Sequence, residues 1–542
     1  MIHRPIFLHV FSLLVLLITS AAKAQNDPNC AHISCFSSVC PALQDDLFYL
    51  PSTHIFQLLL KQGESYTEGG IVPGSFDFTG YIPVDGSSVS GTISLNHETV
   101  PTGAVSMLHV SYSDASRLWN INASGPVDFT PIERTLRNCS GTVTPWGTSI
   151  LGEEVRTLVD TNSDGFQDVG WFVEMNPMTH QVADYGTGTP QKLWAMGRMR
   201  HENLVISNAD WRTVYFGEDF PTGALYKYIA DVPGNLSHGQ LFTLKLDSVL
   251  ASGQPQTPYG RWIPLDNSTQ VACNFAYDSA AAKGATVFNG IEDVEISPID
   301  GRIYLTSKGH GRIYRFTDQD SIVSDFEVYA GGRNYEIVCD TGTVSEPWDL
   351  GNDNLAFDDL GNLWVLQDGG KNFIWMIHQD HSTSNPHVEL FGRTPNGSEP
   401  TGITFSPDHR FIFMSMQHPS ASVNAQIDAS GNEVAINASS LLVIARKENL
   451  GESPLRIENT STANCRAYPN PSQGNVTFEL AHPTQRITSL KLFNGQGTCV
   501  HEVDFEGALH TIHFEQLQLD SGFYWALIRN GDTVFLKKLV WH

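Results

Sequence analysis

The chain has 542 residues, 41% of them hydrophobic, with 46 glycines and a formal net charge of −26. That charge excludes a nucleic-acid binder, which needs a positive footprint; it suits a secreted protein that binds cations, and equally a solvated acidic surface. The length exceeds one ordinary domain, so one large domain with an appendage, or two domains, is expected.

Residues 1–24 read as a general-secretory signal peptide: Arg4, an apolar run from Ile6 to Ile18, and an Ala22-Lys-Ala24 cleavage site. The run is too short to favour an anchor, and no later stretch is long and apolar enough to span a membrane. There is no Arg-Arg pair for the twin-arginine route, and Cys30 lies too far downstream to carry a lipid. All eight cysteines follow the cleavage site and enter an oxidising space. Cys30, Cys35 and Cys40 form a cluster expected to give a disulfide or two, with the pairing open.

Asn96-His97-Glu98 places an amide and a carboxylate close together near the N-terminus, as candidates to join a ring of strand-start ligands. The segment from Arg137 to Glu154 then combines the Cys139 thiol, several hydroxyls, a Thr144-Pro-Trp-Gly turn and the adjacent carboxylates Glu153 and Glu154. Soft thiolate selects transition metals, while carboxylates suit hard cations and ferric iron, so a metal site explains this mixture better than a packed core. Adjacent strand residues face opposite sides, so one of Glu153 and Glu154 is expected to face the site. The plain alternative is two strands around a Thr-Pro turn with an exposed acidic pair.

Asp160, Asn162, Asp164, the Phe166 carbonyl and Asp168 occupy positions 1, 3, 5, 7 and 9 of a calcium loop, with Gly165 at position 6. Trp171 stands at position 12 where a bidentate Glu is usual, leaving the last ligand to Glu174 or water. The expected role is structural, the alternative a polar hairpin loop. Arg198 and Arg200, read as sharing a strand face, are candidates to clamp phosphate, or else surface residues.

Between about residues 45 and 455 the chain repeats a strand–turn–strand pattern, clearest at Glu292–Tyr304, Asp353–Trp364 and Thr401–Phe413. Such units suggest a β-propeller, with a β-sandwich bearing long insertions as the alternative. Glu292, Asp353 with Asn354, and Glu399 each sit at the start of a first strand, where innermost propeller strands would bring them together. From about residue 463 a separate small all-β unit begins at Ala467-Tyr-Pro-Asn-Pro471, followed by Leu490-Lys-Leu-Phe-Asn494, Gly522-Phe-Tyr524 and Lys537-Lys-Leu-Val540.

These motifs carry two resemblances. The run from Cys139 through Thr-Pro-Trp-Gly-Thr148 to Glu153-Glu154 resembles the signature of PhoX-type alkaline phosphatases. So do Asn96-His-Glu98, Gly197-Arg-Met-Arg-His-Glu202, Val214–Asp219, Ile291-Glu292, Asp353-Asn354, Asp368-Gly369, Glu399–Gly402 and Gln417-His-Pro419. The resemblance implies a six-bladed propeller that hydrolyses phosphomonoesters with two ferric ions and calcium ions sharing carboxylates and one cysteine. It implies Glu98, Cys139, Glu202, Glu292, Asp353, Glu399 and one of Glu153 and Glu154 as metal contacts. Gly152 and Glu218-Asp219 depart from the family pattern, and a general-secretory leader would place metal loading outside the cytoplasm. The C-terminal motifs resemble the type IX secretion sorting domain, implying the type IX machinery as partner; an accessory β-sandwich is the alternative.

The expected organisation is a signal peptide over 1–24, an all-β six-bladed propeller with insertions over 25–462, and a small β-sandwich sorting domain over 463–542. The expected function is a secreted phosphatase, assisted by Ca2+ and Fe3+, acting on a small phosphorylated substrate. A calcium-only propeller lactonase or phosphodiesterase and a non-catalytic binding propeller are the alternatives. Cys139 separates the first reading from the second, since a calcium-only site has no use for a thiolate.

Overall fold

The alternating repeats fold as antiparallel strands whose turns are held by short polar side chains. In one, Asp358 Oδ1 accepts from the backbone N–H of Leu360 and Asn362 at 3.1 and 2.9 Å, and Gly361 supplies the positive φ (80°) that closes the turn. The computed structural model describes residues 30–250, 254–451, 465–480, 487–494, 498–515, 517–530 and 533–542; the expected leader at 1–24 lies outside them. The chain divides into two units, Met1–Glu452 and Ser453–His542. Among the described residues, α-helix is limited to Gln270–Asn274 and Ala276–Ala282.

Six strands organise the first unit: β1 (Phe76–Pro83), β2 (Asn138–Val143), β3 (His201–Ile206), β4 (Val294–Ile296), β5 (Asn352–Phe357) and β6 (Glu399–Phe405). β1, β2, β5 and β6 each edge a four-stranded sheet, and β3 and β4 form the two edges of a nine-stranded one. Each of the six touches the next, and β6 touches β1, so they close a ring around a common axis. This is a β-propeller, with these six strands innermost. Closure is by hydrogen bonding: the early strand His54–Lys61 pairs with Ser440–Arg446 and completes the sheet that contains β6. Aromatic packing joins the sheets of β1 and β6, with Tyr81 stacked on Phe413 at 4.8 Å and Trp119 edge-on to Phe413 at 4.9 Å. Burying each such ring stabilises the unit by about 1.5–3 kcal/mol.

Near the start of four inner strands the pairing with the next strand slips register, between Phe76 and Thr79, Asn138 and Gly141, His201 and Leu204, and Asn352 and Leu355. A bulge breaks strict alternation and re-aims a side chain. Asp77, Cys139, Glu202 and Asp353 lie inside these four slips.

The disulfides left open by sequence are Cys30–Cys35 and Cys40–Cys339, while Cys139, Cys273, Cys465 and Cys499 carry free thiols. In the second unit, a three-stranded sheet (Cys465–Tyr468, Val476–Leu480, Thr511–Phe514) and a four-stranded sheet that includes Ile487–Phe493 enclose one core containing Phe478, Leu490, Ile528 and Trp541.

Candidate active site

The ring of first strands gathers donor groups from separate parts of the sequence into its channel. Asp77, Glu98 and Cys139 each offer a ligand atom within 4.8 Å of the other two; so do Glu202, Glu292 and Asp353, and so do Asp353, Asp368 and Glu399. Asp353 belongs to two of these groups and links them. The Cys139 thiol donates to Asp77 Oδ2 at 3.3 Å, and the Asn96 amide holds the Cys139 backbone carbonyl at 2.8 Å. Glu154 joins the edge of the cluster through Arg137, whose Nη1 lies 2.8 Å from Glu98 and 3.2 Å from Glu154, and through Arg200, 3.3 Å from Glu154. Lys308 Nζ bridges Glu292 at 2.8 Å and Asp368 at 3.2 Å.

Eight carboxylates therefore face three basic groups. Burial, and after it the neighbouring Glu98, push Asp77 from 3.8 up to about 7. Burial first and like charges second also hold Glu202 and Glu399 well above the carboxylate range, and burial does the same for Asp353 although Lys308 pulls against it. Glu292 is raised by burial although Lys308 pulls against it. Burial and Asp77 push the Cys139 thiol up in the same way. For Lys308, burial disfavours charge, but Glu292, Asp353 and Asp368 outweigh it and keep the ammonium protonated. Glu202 Oε2 is buried with no hydrogen-bond partner among the described residues. A buried oxygen without a partner in a crowd of acids is what multivalent cations satisfy.

Two sequence expectations need correction. Glu153 does not join the cluster: its carboxylate is buried on the opposite side from Glu154, 2.8 Å from Lys192 Nζ, and accepts from the backbone N–H of Leu136, Gly170 and Trp171. Strand alternation sends the two neighbours apart. Arg198 is not a phosphate clamp. It is fully buried and donates to the carbonyls of Val169 (2.9 Å), Thr157 (2.7 Å) and Asn274 (3.3 Å), tying the loop inside the second sheet to the Gln270–Asn274 helix. β3 begins only at His201, so the two arginines are not neighbours on one strand face: Arg198 is buried against carbonyls, whereas Arg200 is 39% exposed and reaches Glu154. In the loop holding Asp160, Asn162, Asp164, Phe166 and Asp168, Asp160 Oδ2 accepts from the Gly165 N–H, and its Oδ1 is buried with no hydrogen-bond partner among the described residues. Asp168 accepts from the Thr161 N–H and hydroxyl at 2.8 and 2.7 Å and faces Arg134 at 3.6 Å. Phe166 stacks on Trp194 at 4.2 Å.

Asp77, Asp368, Lys308 and Arg137 were not singled out from sequence as site groups. Gly152, a departure from the family pattern, has a physical reason: a Cβ there would collide with the Glu202 carbonyl, so glycine lets the second sheet approach β3. A cavity of about 500 Å3 begins one residue along from the cluster, at Ser140, Asn203, Asp293 and Asn354. It is lined by Asp293, Glu295 and Asp358 with no lysine or arginine, which suits it poorly to an anion; the basic groups belong to the ring.

Fold and site together define a β-propeller with a buried, acidic, thiol-bearing channel. The chain belongs to the alkaline phosphatase PhoX family, whose model matches residues 114–420, and it is accordingly a phosphatase. Asp77 and Glu98 lie before the matched segment. Pseudomonas fluorescens PhoX in complex with vanadate, a transition-state analogue, shares the fold at TM-score 0.59 and 20% identity, over 77% of this chain and 99% of that one. Pseudomonas aeruginosa periplasmic gluconolactonase aligns at TM-score 0.34 and 10% identity, over 86% of this chain and 99% of that one, which carries no functional argument. No curated protein matches the chain. Residues 466–542 match a secretion system C-terminal sorting domain, which implies a secreted or cell-surface protein. Among the described residues no helix is long and apolar enough to cross a membrane.

Proposed function

We propose that this phosphatase is a metal-dependent phosphomonoesterase whose calcium and iron ions are held by Asp77, Glu98, Cys139, Glu154, Glu202, Glu292, Asp353 and Glu399. The observation that carries the reading is the convergence, within 4.8 Å, of a buried free thiol and carboxylates from separate sheets. The donor set fits the ions: carboxylate oxygens suit calcium and ferric iron, and a thiolate adds a reason for a transition metal. Bound there, the metals supply charge stabilisation to the transferring phosphoryl group and activate the attacking oxygen.

The chain's own task is to bind and orient the phosphate. Arg137, Arg200 and Lys308 keep 45%, 39% and 33% of their side chains exposed while anchored to cluster carboxylates, so they face an arriving anion. Glu154 fixes both arginines and so sets the direction of their donors. Counting the nine-stranded sheet as two blades gives a six-bladed propeller. The sorting domain hands the protein to the type IX machinery after a general-secretory leader takes it across the inner membrane. The test is hydrolysis of a generic aryl phosphate at alkaline pH, abolished by chelation and restored by calcium with iron. Chelator-insensitive turnover, or no turnover after reconstitution, sinks the proposal.

A further inference from the structure

Two histidine–aspartate groups lie outside the channel, and their ring geometry separates them. His378, Asp380 and His387 offer atoms within 4.8 Å of one another, but the two imidazoles lie face to face, centroids 3.6 Å apart and planes inclined by 12°. A metal binds imidazole in the ring plane, and two rings stacked that closely cannot both aim in-plane lone pairs at one ion. His32, Asp359 and His409 also converge within 4.8 Å, yet here the centroids stand 6.3 Å apart. That spacing leaves room for one ion reached by a nitrogen from each ring at about 2.0–2.1 Å.

Three separate segments supply this second group. His32 lies in the small loop closed by the Cys30–Cys35 disulfide; Asp359 is on the turn after β5; His409, at φ 51°, is on the turn after β6. His32 Nε2 is 2.8 Å from Asp359 Oδ1, while its Nδ1 accepts from the Ser34 backbone N–H at 3.2 Å and lies 2.6 Å from Ser34 Oγ. His409 Nδ1 is buried with no hydrogen-bond partner among the described residues.

We propose that His32, Asp359 and His409 form a zinc site that fastens the N-terminal disulfide loop to the turns after β5 and β6. Two imidazoles and one carboxylate match the preference of a borderline divalent cation, with water in the fourth tetrahedral position. Asp359, 53% exposed, leaves that position open to solvent. The site takes no part in phosphate chemistry and stands or falls independently of the channel metals.

Crystals of the full chain soaked in zinc, with data collected on both sides of the zinc absorption edge, test this. The expected result is an anomalous peak between His32, Asp359 and His409, and none between His378 and His387. In solution, metal-stripped protein refilled with its channel ions should take up one further zinc per chain. His409→Gln and Asp359→Asn should each weaken that uptake at least tenfold, while aryl phosphate turnover and the zinc-free melting temperature stay at the wild-type level. No peak at this triad, or zinc uptake unchanged in both variants, overturns the proposal. Zinc found only at Cys139 counts against it equally.

Discussion

Stripped of metal, the protein should lose stability as the pH rises from 5 to 8. Asp77 marks the size of the effect. Its carboxyl is raised from 3.8 to about 7 by burial and then by Glu98. A carboxyl with a raised folded value holds its proton more tightly in the native state than in the unfolded chain. Its contribution is therefore complete below about pH 4 and is lost as the pH climbs through 7. The shift corresponds to about 4 kcal/mol, a large share of the roughly 5–15 kcal/mol that holds a domain together. Glu202, Glu292, Asp353 and Glu399 are displaced in the same direction and deepen the loss. Urea unfolding of chelator-treated protein at pH 5, 6, 7 and 8 reads this directly, with the midpoint falling at each step. Asp77→Asn, which cannot ionise, should flatten part of the fall, and restoring the metals should remove it. A stripped protein at least as stable at pH 8 as at pH 5 would refute the reasoning, as would an Asp77→Asn profile parallel to wild type.

Other outcomes follow from the same geometry. Glu153→Gln leaves Lys192 buried without its counter-charge and should cost about 3–5 kcal/mol in unfolding free energy, while metal content per folded chain stays unchanged. Lys308→Met or Arg200→Ala should raise KM for an aryl phosphate about tenfold or more, from loss of a charged contact to the anion; Arg198→Ala should lower the melting temperature with KM unmoved in the surviving fold. Intact mass of the protein from culture medium should show a chain ending near residue 465, because a sorting domain is expected to be removed on export. A chain intact through His542 would favour an accessory domain.

How far the sequence led depends on how local each feature is. The hairpins at Asp353–Trp364 and Thr401–Phe413 were legible because strand alternation and turn chemistry act over a few residues. Ring closure was not, since His54–Lys61 and Ser440–Arg446 meet across nearly the whole first unit. Cys139 and Glu202 stood out by residue type and motif. Asp77 did not, because Phe76 and Phe78 make it look like a polar position in an ordinary strand, and only the register slip at Phe76–Thr79 aims it at Cys139. Spacing misled once: Arg198 and Arg200 are two residues apart, yet Arg198 is buried against backbone carbonyls while Arg200 is exposed and meets Glu154. Lys308 follows a strand in a Ser-Lys-Gly-His turn that reads as surface, and its partners Glu292 and Asp368 come from different sheets.

The state of Cys139 tests the central claim most directly. Its thiol is free, buried and 3.3 Å from Asp77 Oδ2. A bound multivalent cation would lower its pKa enough to secure the thiolate at neutral pH, against the burial that otherwise raises it. The optical spectrum and metal content of the protein as isolated, set beside those of Cys139→Ser, decide the matter. The account predicts a coloured, iron-containing protein whose visible thiolate-to-iron band disappears in Cys139→Ser, with iron content and aryl phosphate turnover falling while the propeller stays folded. A colourless, iron-free wild-type protein, or a Cys139→Ser variant with full iron and full turnover, would contradict it.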